Sequence, residues 1–89
     1  MRRLIVTYRD ILPERRGEYL VAWGVLRDHV VAAGGHAWVF HAESDGNRFI
    51  EFLEYRNPAI PELGEVREAR SALDEKFPEY RRSTWVPVE

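Results

Sequence analysis

Cysteine is absent from the 89 residues, so no disulfide framework, thiolate nucleophile or cysteine-held metal is open to this chain. Lysine is nearly absent as well, with Lys76 the only one among thirteen basic residues. Those basic residues are scattered and outnumbered by fifteen acids, leaving a formal net charge of −2 and no basic stripe to follow a nucleic-acid backbone. No apolar run approaches the roughly 20 residues of a membrane-spanning helix, and no signal-peptide pattern follows Met1. The expected setting is therefore the cytoplasm, with neither nucleic acid nor membrane as partner. Repeats, low-complexity tracts and long linkers are missing too, which leaves one domain over residues 1–89. A 45% share of hydrophobic residues against 31% charged suits an ordinary globular fold.

What is present is a clear order of elements. Residues 4–9 are β-branched and aromatic enough for a strand. Pro13 and Glu14 suit the first turn of a helix, and Tyr19, Trp23, Leu26 and Val30 recur along one helical face. Gly34-Gly35 closes that helix. Two strands follow at 36–43 and 48–55. A second helical stripe of Leu63, Val66, Arg70, Leu73 and Phe77 ends at Pro78. Residues 84–88 read as a last strand, confined to a sheet edge because Pro87 cannot donate to a ladder. Strand, helix, hairpin, helix, strand is the βαββαβ order of the ferredoxin-like α+β fold, a four-stranded antiparallel sheet with two helices on one face. The first and third strands are expected at its centre.

Asp45-Gly46 predicts a two-residue hairpin turn, which needs positive φ at both central residues. That register sets Glu43 against Arg48, Phe40 against Glu51, Trp38 against Leu53 and His36 against Tyr55. It turns Ala37, Val39, Ile50 and Phe52 toward the helices, with His41, Glu43, Arg48 and Glu54 near the ends. His36, Trp38, Phe40, Ala42, Phe49, Glu51, Leu53 and Tyr55 fall on the opposite face. Both helices cover one face of such a sheet, so the aromatic face lacks a cover. A second copy of the chain, paired through that face as a homodimer, would supply one.

In the opening strand, in Leu12-Pro13 before a Trp-bearing helix, in Gly34-Gly35, in the hairpin and in Glu54-Tyr55-Arg56-Asn57-Pro58, the chain resembles the dimeric α/β-barrel superfamily. Within it the likeness is to the antibiotic-biosynthesis-monooxygenase-like domains. The resemblance implies a dimer whose two sheets enclose a space, with Ile5, Thr7 and Arg9 turned into it and Leu4, Val6 and Tyr8 toward the helices. Relatives include cofactor-independent oxygenases of aromatic polyketides and haem-degrading enzymes that hold iron through a histidine on the second helix. This chain has no histidine after His41, a departure that argues against that route to haem.

Thr7, Trp38, Phe40, Leu53 and Tyr55 are the expected lining of a ligand site, although dimer-core packing accounts for the aromatics equally well. His36, Glu51, Tyr55 and Arg9 are the candidate catalytic groups. His36 and Tyr55, opposed at about 5 Å between Cβ atoms, could exchange a proton or form a polar rim. Glu51 is costly to bury unless paired, and Arg9 on the neighbouring strand is its expected partner ahead of any catalytic role. His29, His36 and His41 do not converge at metal-ligand spacing and no Gly-rich phosphate loop occurs, so neither metal nor cofactor is expected. Three functions remain open: a dimeric barrel binding an apolar or aromatic small molecule, a cofactor-independent monooxygenase of an electron-rich aromatic, and a non-catalytic dimerisation domain.

Overall fold

The computed structural model describes residues 1–88. Strand β1 (Arg3–Asp10) leads through a single 3₁₀ turn at Pro13–Arg15 into helix α1 (Arg16–Ala32). Strands β2 (His36–His41) and β3 (Arg48–Tyr55) form the hairpin, and a second 3₁₀ turn at Ile60–Glu62 precedes helix α2 (Gly64–Lys76). Strand β4 (Tyr80–Trp85) closes the sheet, whose order is β2-β3-β1-β4 with every pairing antiparallel. This is the expected βαββαβ arrangement, with β1 and β3 central. No helix among the described residues is long and apolar enough to cross a membrane.

The first helical stripe lands as its spacing demands, whereas in the second Leu63 precedes α2 and is exposed and Arg70 is half-buried. Tyr19, Trp23, Leu26 and Val30 of α1 are all buried, as are Val66 and Leu73 of α2 and Phe77 just beyond it. They pack on Ile5, Phe49, Leu53 and Tyr55 of the central strands, with Ala37 and Val39 of β2 at the margin of the same core. Helix α1 ends through Gly34, the one described residue with φ in the left-handed region, at 98°. There the Gly34 and Gly35 N–H groups donate to the carbonyls of Val31 and Val30 at 3.0 and 2.9 Å. Gly35 answers a different need, because a Cβ there would stand 2.8 Å from Val30 Cγ1 and 3.0 Å from the Glu54 carbonyl.

Several expectations are corrected. The last strand begins at Tyr80 and ends at Trp85, so Pro87 lies past it. Tyr80-Arg81-Arg82-Ser83 is a poor strand by composition, but pairing along β1 from Arg9 to Leu4 overrides propensity. The hairpin does not use a two-residue turn. His36 stands opposite Glu54, Trp38 opposite Phe52 and Phe40 opposite Ile50, one residue out of the expected register. Gly46 and its neighbours have negative φ, which rules out the mirror-image turn. Instead Ala42 N–H donates to the Arg48 carbonyl at 2.8 Å, and Asn47 N–H to Asp45 Oδ1 at 3.0 Å, so residues 43–47 form a longer loop.

A one-residue slip reverses which face each side chain takes relative to its neighbour strand. Phe49, Glu51, Leu53 and Tyr55 therefore lie under the helices, while Ile50 and Phe52 join Trp38 and Phe40 on the open side. Strand β1 is likewise reversed from expectation, with Ile5, Thr7 and Arg9 toward the helices and Leu4, Val6 and Tyr8 on the open face. Its Ile5 and Thr7 pair directly with Leu53 and Glu51 on the core side.

The two glycines at either end of this region give opposite expectations. Gly35→Ala, with no room for the methyl group, lowers stability by about 1–3 kcal/mol. Gly17→Ala meets nothing within 4 Å in α1 and raises stability by up to about 1 kcal/mol. Urea denaturation midpoints of the two variants check both signs.

Candidate functional site

The sheet presents two chemically different surfaces. On the open side the cross-strand rows, taken from β2 to β4, are His36–Glu54–Leu4–Trp85, Trp38–Phe52–Val6–Ser83 and Phe40–Ile50–Tyr8–Arg81. Tyr8, Trp38, Phe40 and Trp85 are 48%, 44%, 57% and 59% exposed. Phe40 meets Phe52 edge-on at 5.9 Å between centroids. Val6 is buried although it lies on this face, because the side chains around it are larger.

One end of this surface is polar. His36 Nδ1 lies 3.2 Å from Glu54 Oε1, and the His36 ring stacks on the Trp38 indole at 5.9 Å and 9°. Arg2 donates from its guanidinium to Glu54 Oε2. At the other end Arg48 and Asp10 face each other at 3.8 Å, both well exposed.

The helix side conceals a charged cluster. Arg9 donates from Nε to Glu51 Oε2 at 2.6 Å, from Nη1 to the Phe77 carbonyl at 2.8 Å, and from Nη2 to Asp74 Oδ1 at 2.7 Å. The Tyr19 hydroxyl donates to Glu51 Oε2 at 2.6 Å. Arg82 grips Asp74 with two hydrogen bonds of 2.9 and 2.8 Å and donates from Nε to Thr7 Oγ1 at 3.0 Å. The Tyr80 ring lies 4.9 Å from the Arg9 guanidinium carbon and 4.5 Å from that of Arg82. Two arginines and two carboxylates thus balance in charge, and no buried side-chain polar atom among the described residues lacks a partner.

This environment sets the ionisation of its members. Burial, reinforced by the charge of Glu51 and the hydrogen bond to it, pushes the Tyr19 phenol far above its ordinary value, so it acts as a neutral donor. Burial alone would raise Asp74, but the hydrogen bonds and charges of Arg82 and Arg9 outweigh it and hold its carboxyl below the ordinary value. Arg9 is pulled down by burial and raised by more through Glu51 and Asp74, so it stays charged.

The candidate residues are therefore not brought to one place. His36, Trp38 and Phe40 share the open face, whereas Thr7, Arg9, Glu51, Leu53 and Tyr55 lie beneath the helices. His36 and Tyr55 are not opposed, since Glu54 faces His36 and Arg3 faces Tyr55. The expected Arg9–Glu51 ion pair is present, inside the core. Sequence reasoning missed Tyr19, Asp74 and Arg82 as its companions, and Tyr8, Ile50, Phe52 and Glu54 on the open face. A usable signal existed for Arg82, which alternates in phase with Tyr80 along β4 toward the helix side. Among the described residues no three His, Asp or Glu side chains assemble in a metal-holding group.

No known family profile matches the chain, and no curated protein matches it either. Solved structures do. Rv0793 from Mycobacterium tuberculosis superposes with a TM-score of 0.78 at 11% identity, covering 100% of this chain and 97% of its own. A variant of SnoaB, a cofactor-independent oxygenase from Streptomyces nogalater, gives 0.80 at 6% identity, covering 99% and 94%. The chain shares the ferredoxin-like fold of these proteins. A third structure, an antibiotic biosynthesis monooxygenase, matches over the full length of both chains with a TM-score of 0.73 at 14% identity. At such identities the likeness concerns the backbone fold alone, and the side chains described above are this chain's own.

Breaking the buried cluster has a large expected cost. Arg9→Met strips Glu51 and Asp74 of a shared partner and lowers stability by about 3–5 kcal/mol. Tyr19→Phe removes one hydrogen bond to a charged group and costs about 2 kcal/mol. Because Asp74 titrates below its ordinary 3.8 in the fold, the unfolded chain binds its proton more readily. The contribution of Asp74 is then complete well above that value and is lost as the pH falls through it. Urea midpoints followed from neutral to acidic pH should fall less steeply in Asp74→Asn than in the unaltered chain.

Proposed function

We propose that the chain works as a homodimer whose open sheet faces pair and hold a small apolar or aromatic molecule between them. The observation that carries this reading is the uncovered aromatic surface of Tyr8, Trp38, Phe40 and Trp85 around Ile50 and Phe52. An apolar patch of this extent is uncommon on a soluble monomer, and fully burying each such side chain is worth about 1.5–3 kcal/mol. A second copy supplies a surface of matching chemistry through a twofold axis, the commonest solution for soluble proteins.

Binding is favoured over catalysis because the strongest candidate groups are already engaged. Arg9 and Glu51 spend their hydrogen bonds on each other, Tyr19, Asp74 and the end of α2. The oxygenase reading draws on the likeness to SnoaB, and no free acid–base pair beneath the helices adds to it.

At micromolar concentration, light scattering coupled to gel filtration is expected to give twice the chain mass of 10.5 kDa. Trp38→Asp, which sets a carboxylate in the middle of the paired faces at a cost of several kcal/mol, is expected to yield a folded monomer. Val21→Asp, on the exposed side of α1, should leave the dimer intact. A folded monomer from the unaltered chain would remove the basis of this reading.

A further inference from the structure

The sheet has two free edges, β2 and β4, and the chain guards only one of them. Strand β4 carries Arg81 and Arg82 and is followed closely by Pro87, features that discourage the addition of a further strand. Strand β2, His36-Ala37-Trp38-Val39-Phe40-His41, has no lysine, arginine, carboxylate, proline or glycine. Its pairing with β3 runs without a bulge from one end to the other. An apolar, regular edge of this kind is a template for another strand.

The ladder fixes which backbone groups face outward. Ala42 N–H donates to the Arg48 carbonyl at 2.8 Å, so by antiparallel alternation Phe40, Trp38 and His36 also turn their N–H and C=O groups toward β3. Ala37, Val39 and His41 therefore turn theirs away from the sheet, and no loop or turn among the described residues bonds to them. A second β2, antiparallel about a twofold axis at Val39, sets Val39 against itself and Ala37 against His41. That register gives every outward N–H and C=O of both strands a partner. It also stands Trp38 opposite Phe40 of the second copy, at the positions where antiparallel side chains come closest and aromatic pairs favour a register.

Helix α1 gives an independent sign of the same partner. It packs on the β2 side of the helical layer, while α2 reaches β4 through the Asp74–Arg82 bonds. One flank of α1 borders α2, where Val21, Ala22 and Val25 line a groove with Ala69 and Ala72. The opposite flank, toward the free edge of β2, carries Leu20, Gly24 and Val31 by helical spacing, and both Leu20 and Val31 are exposed. A twofold axis normal to the sheet keeps both helical layers on one side. It brings these apolar flanks of the two α1 helices toward each other as the strands pair.

We propose that β2 is an interaction edge for a second copy of this chain, pairing with the β2 of that copy about Val39 to make one continuous sheet. The pairing uses backbone groups that association of the open faces leaves free, so it goes beyond that reading and stands whether or not those faces pair.

A contact this small is populated at high concentration, so light scattering is compared at about 10 µM and at roughly 1 mM. The mass at the higher concentration is expected to be twice that at the lower. Amide exchange followed by NMR at both concentrations locates the contact. The Ala37, Val39 and His41 amides should gain at least about tenfold protection on concentration, whereas those of Trp38 and Phe40, already in the ladder with β3, should not change. Val39→Pro removes an outward donor on the axis and leaves the β2–β3 ladder its hydrogen bonds. It is expected to weaken the concentration-dependent step at least about tenfold, with the mass at low concentration unchanged. His41→Pro makes the same test at an exposed strand end, where the fold tolerates the ring if Val39→Pro does not fold. Val31→Arg, which sets like charges across the axis, should weaken the step in the same direction. A mass that stays constant up to roughly 1 mM overturns the proposal and leaves the pairing of the open faces untouched. A rise in mass without protection of Ala37, Val39 and His41, or one that survives in the folded proline variants, assigns association to another surface and overturns it too. Protection that extends to the Tyr80, Arg82 and Thr84 amides, the outward set of β4, replaces the twofold pairing by a head-to-tail one and overturns the register about Val39.

Discussion

The fold turns on one buried guanidinium. Arg9 comes from the central strand β1 and joins β3 through Glu51, α2 through Asp74, and the chain beyond α2 through the Phe77 carbonyl. Tyr19 brings α1 to the same carboxylate, and Arg82 brings β4 to Asp74. Every layer of the domain therefore has a polar tie to a single point inside its core. Burying these charges separately would cost far more than a chain of this size can offset. Their equal numbers and complete hydrogen bonding make the arrangement tolerable. The orphan carbonyls at the end of α2 gain from it as well, since Arg9 takes that of Phe77 and Arg15 that of Lys76.

This inversion explains the character of the two faces. Polar groups that would ordinarily point to water along β1, β3 and β4 have been drawn beneath the helices. The large side chains of the alternate positions are left on the open side. The ionisable groups buried beneath the helices are locked into architecture, and the aromatic surface keeps its polar groups toward its margins, with His36, Glu54 and Arg2 at one end and Arg48 and Asp10 at the other. Charge and aromatic surface are thus divided between the two sides of one sheet.

The order of elements was legible because it rests on local patterns. Tyr19, Trp23, Leu26 and Val30 repeat at helical spacing, Gly34 takes a φ that favours glycine, and Pro78 stops α2. The pairing of Arg9 with Glu51 was legible too, from the cost of an unpaired carboxylate in an apolar strand. The faces were not. Asp45-Gly46 looks like a two-residue turn, yet the Asp45 side chain bonds the Asn47 N–H and Ile11 N–H takes the Asn47 carbonyl at 2.8 Å, contacts that hold a longer loop. Strand β3 alternates Phe49, Glu51, Leu53 with Ile50, Phe52, Glu54, so hydrophobicity alone gives no preference between its sides. Asp74 and Arg82 lie far from Arg9 in sequence, and only the packing of α2 over β1 brings them together.

Residues 43–47 consequently hold a kind of parity over the whole molecule. The closing pair at Ala42 and Arg48 keeps Trp38 and Phe40 on the side of Phe52. Closing the loop at Glu43 and Arg48 instead would carry Ala37 and Val39 there and press the two aromatics, with His36, into the space under the helices. An insertion absorbed between Ala42 and Arg48 leaves every cross-strand pair in place, whereas moving the closing pair by a single residue on one strand turns that strand inside out. The outer surface of the sheet is, in that sense, encoded at a bend that touches none of it.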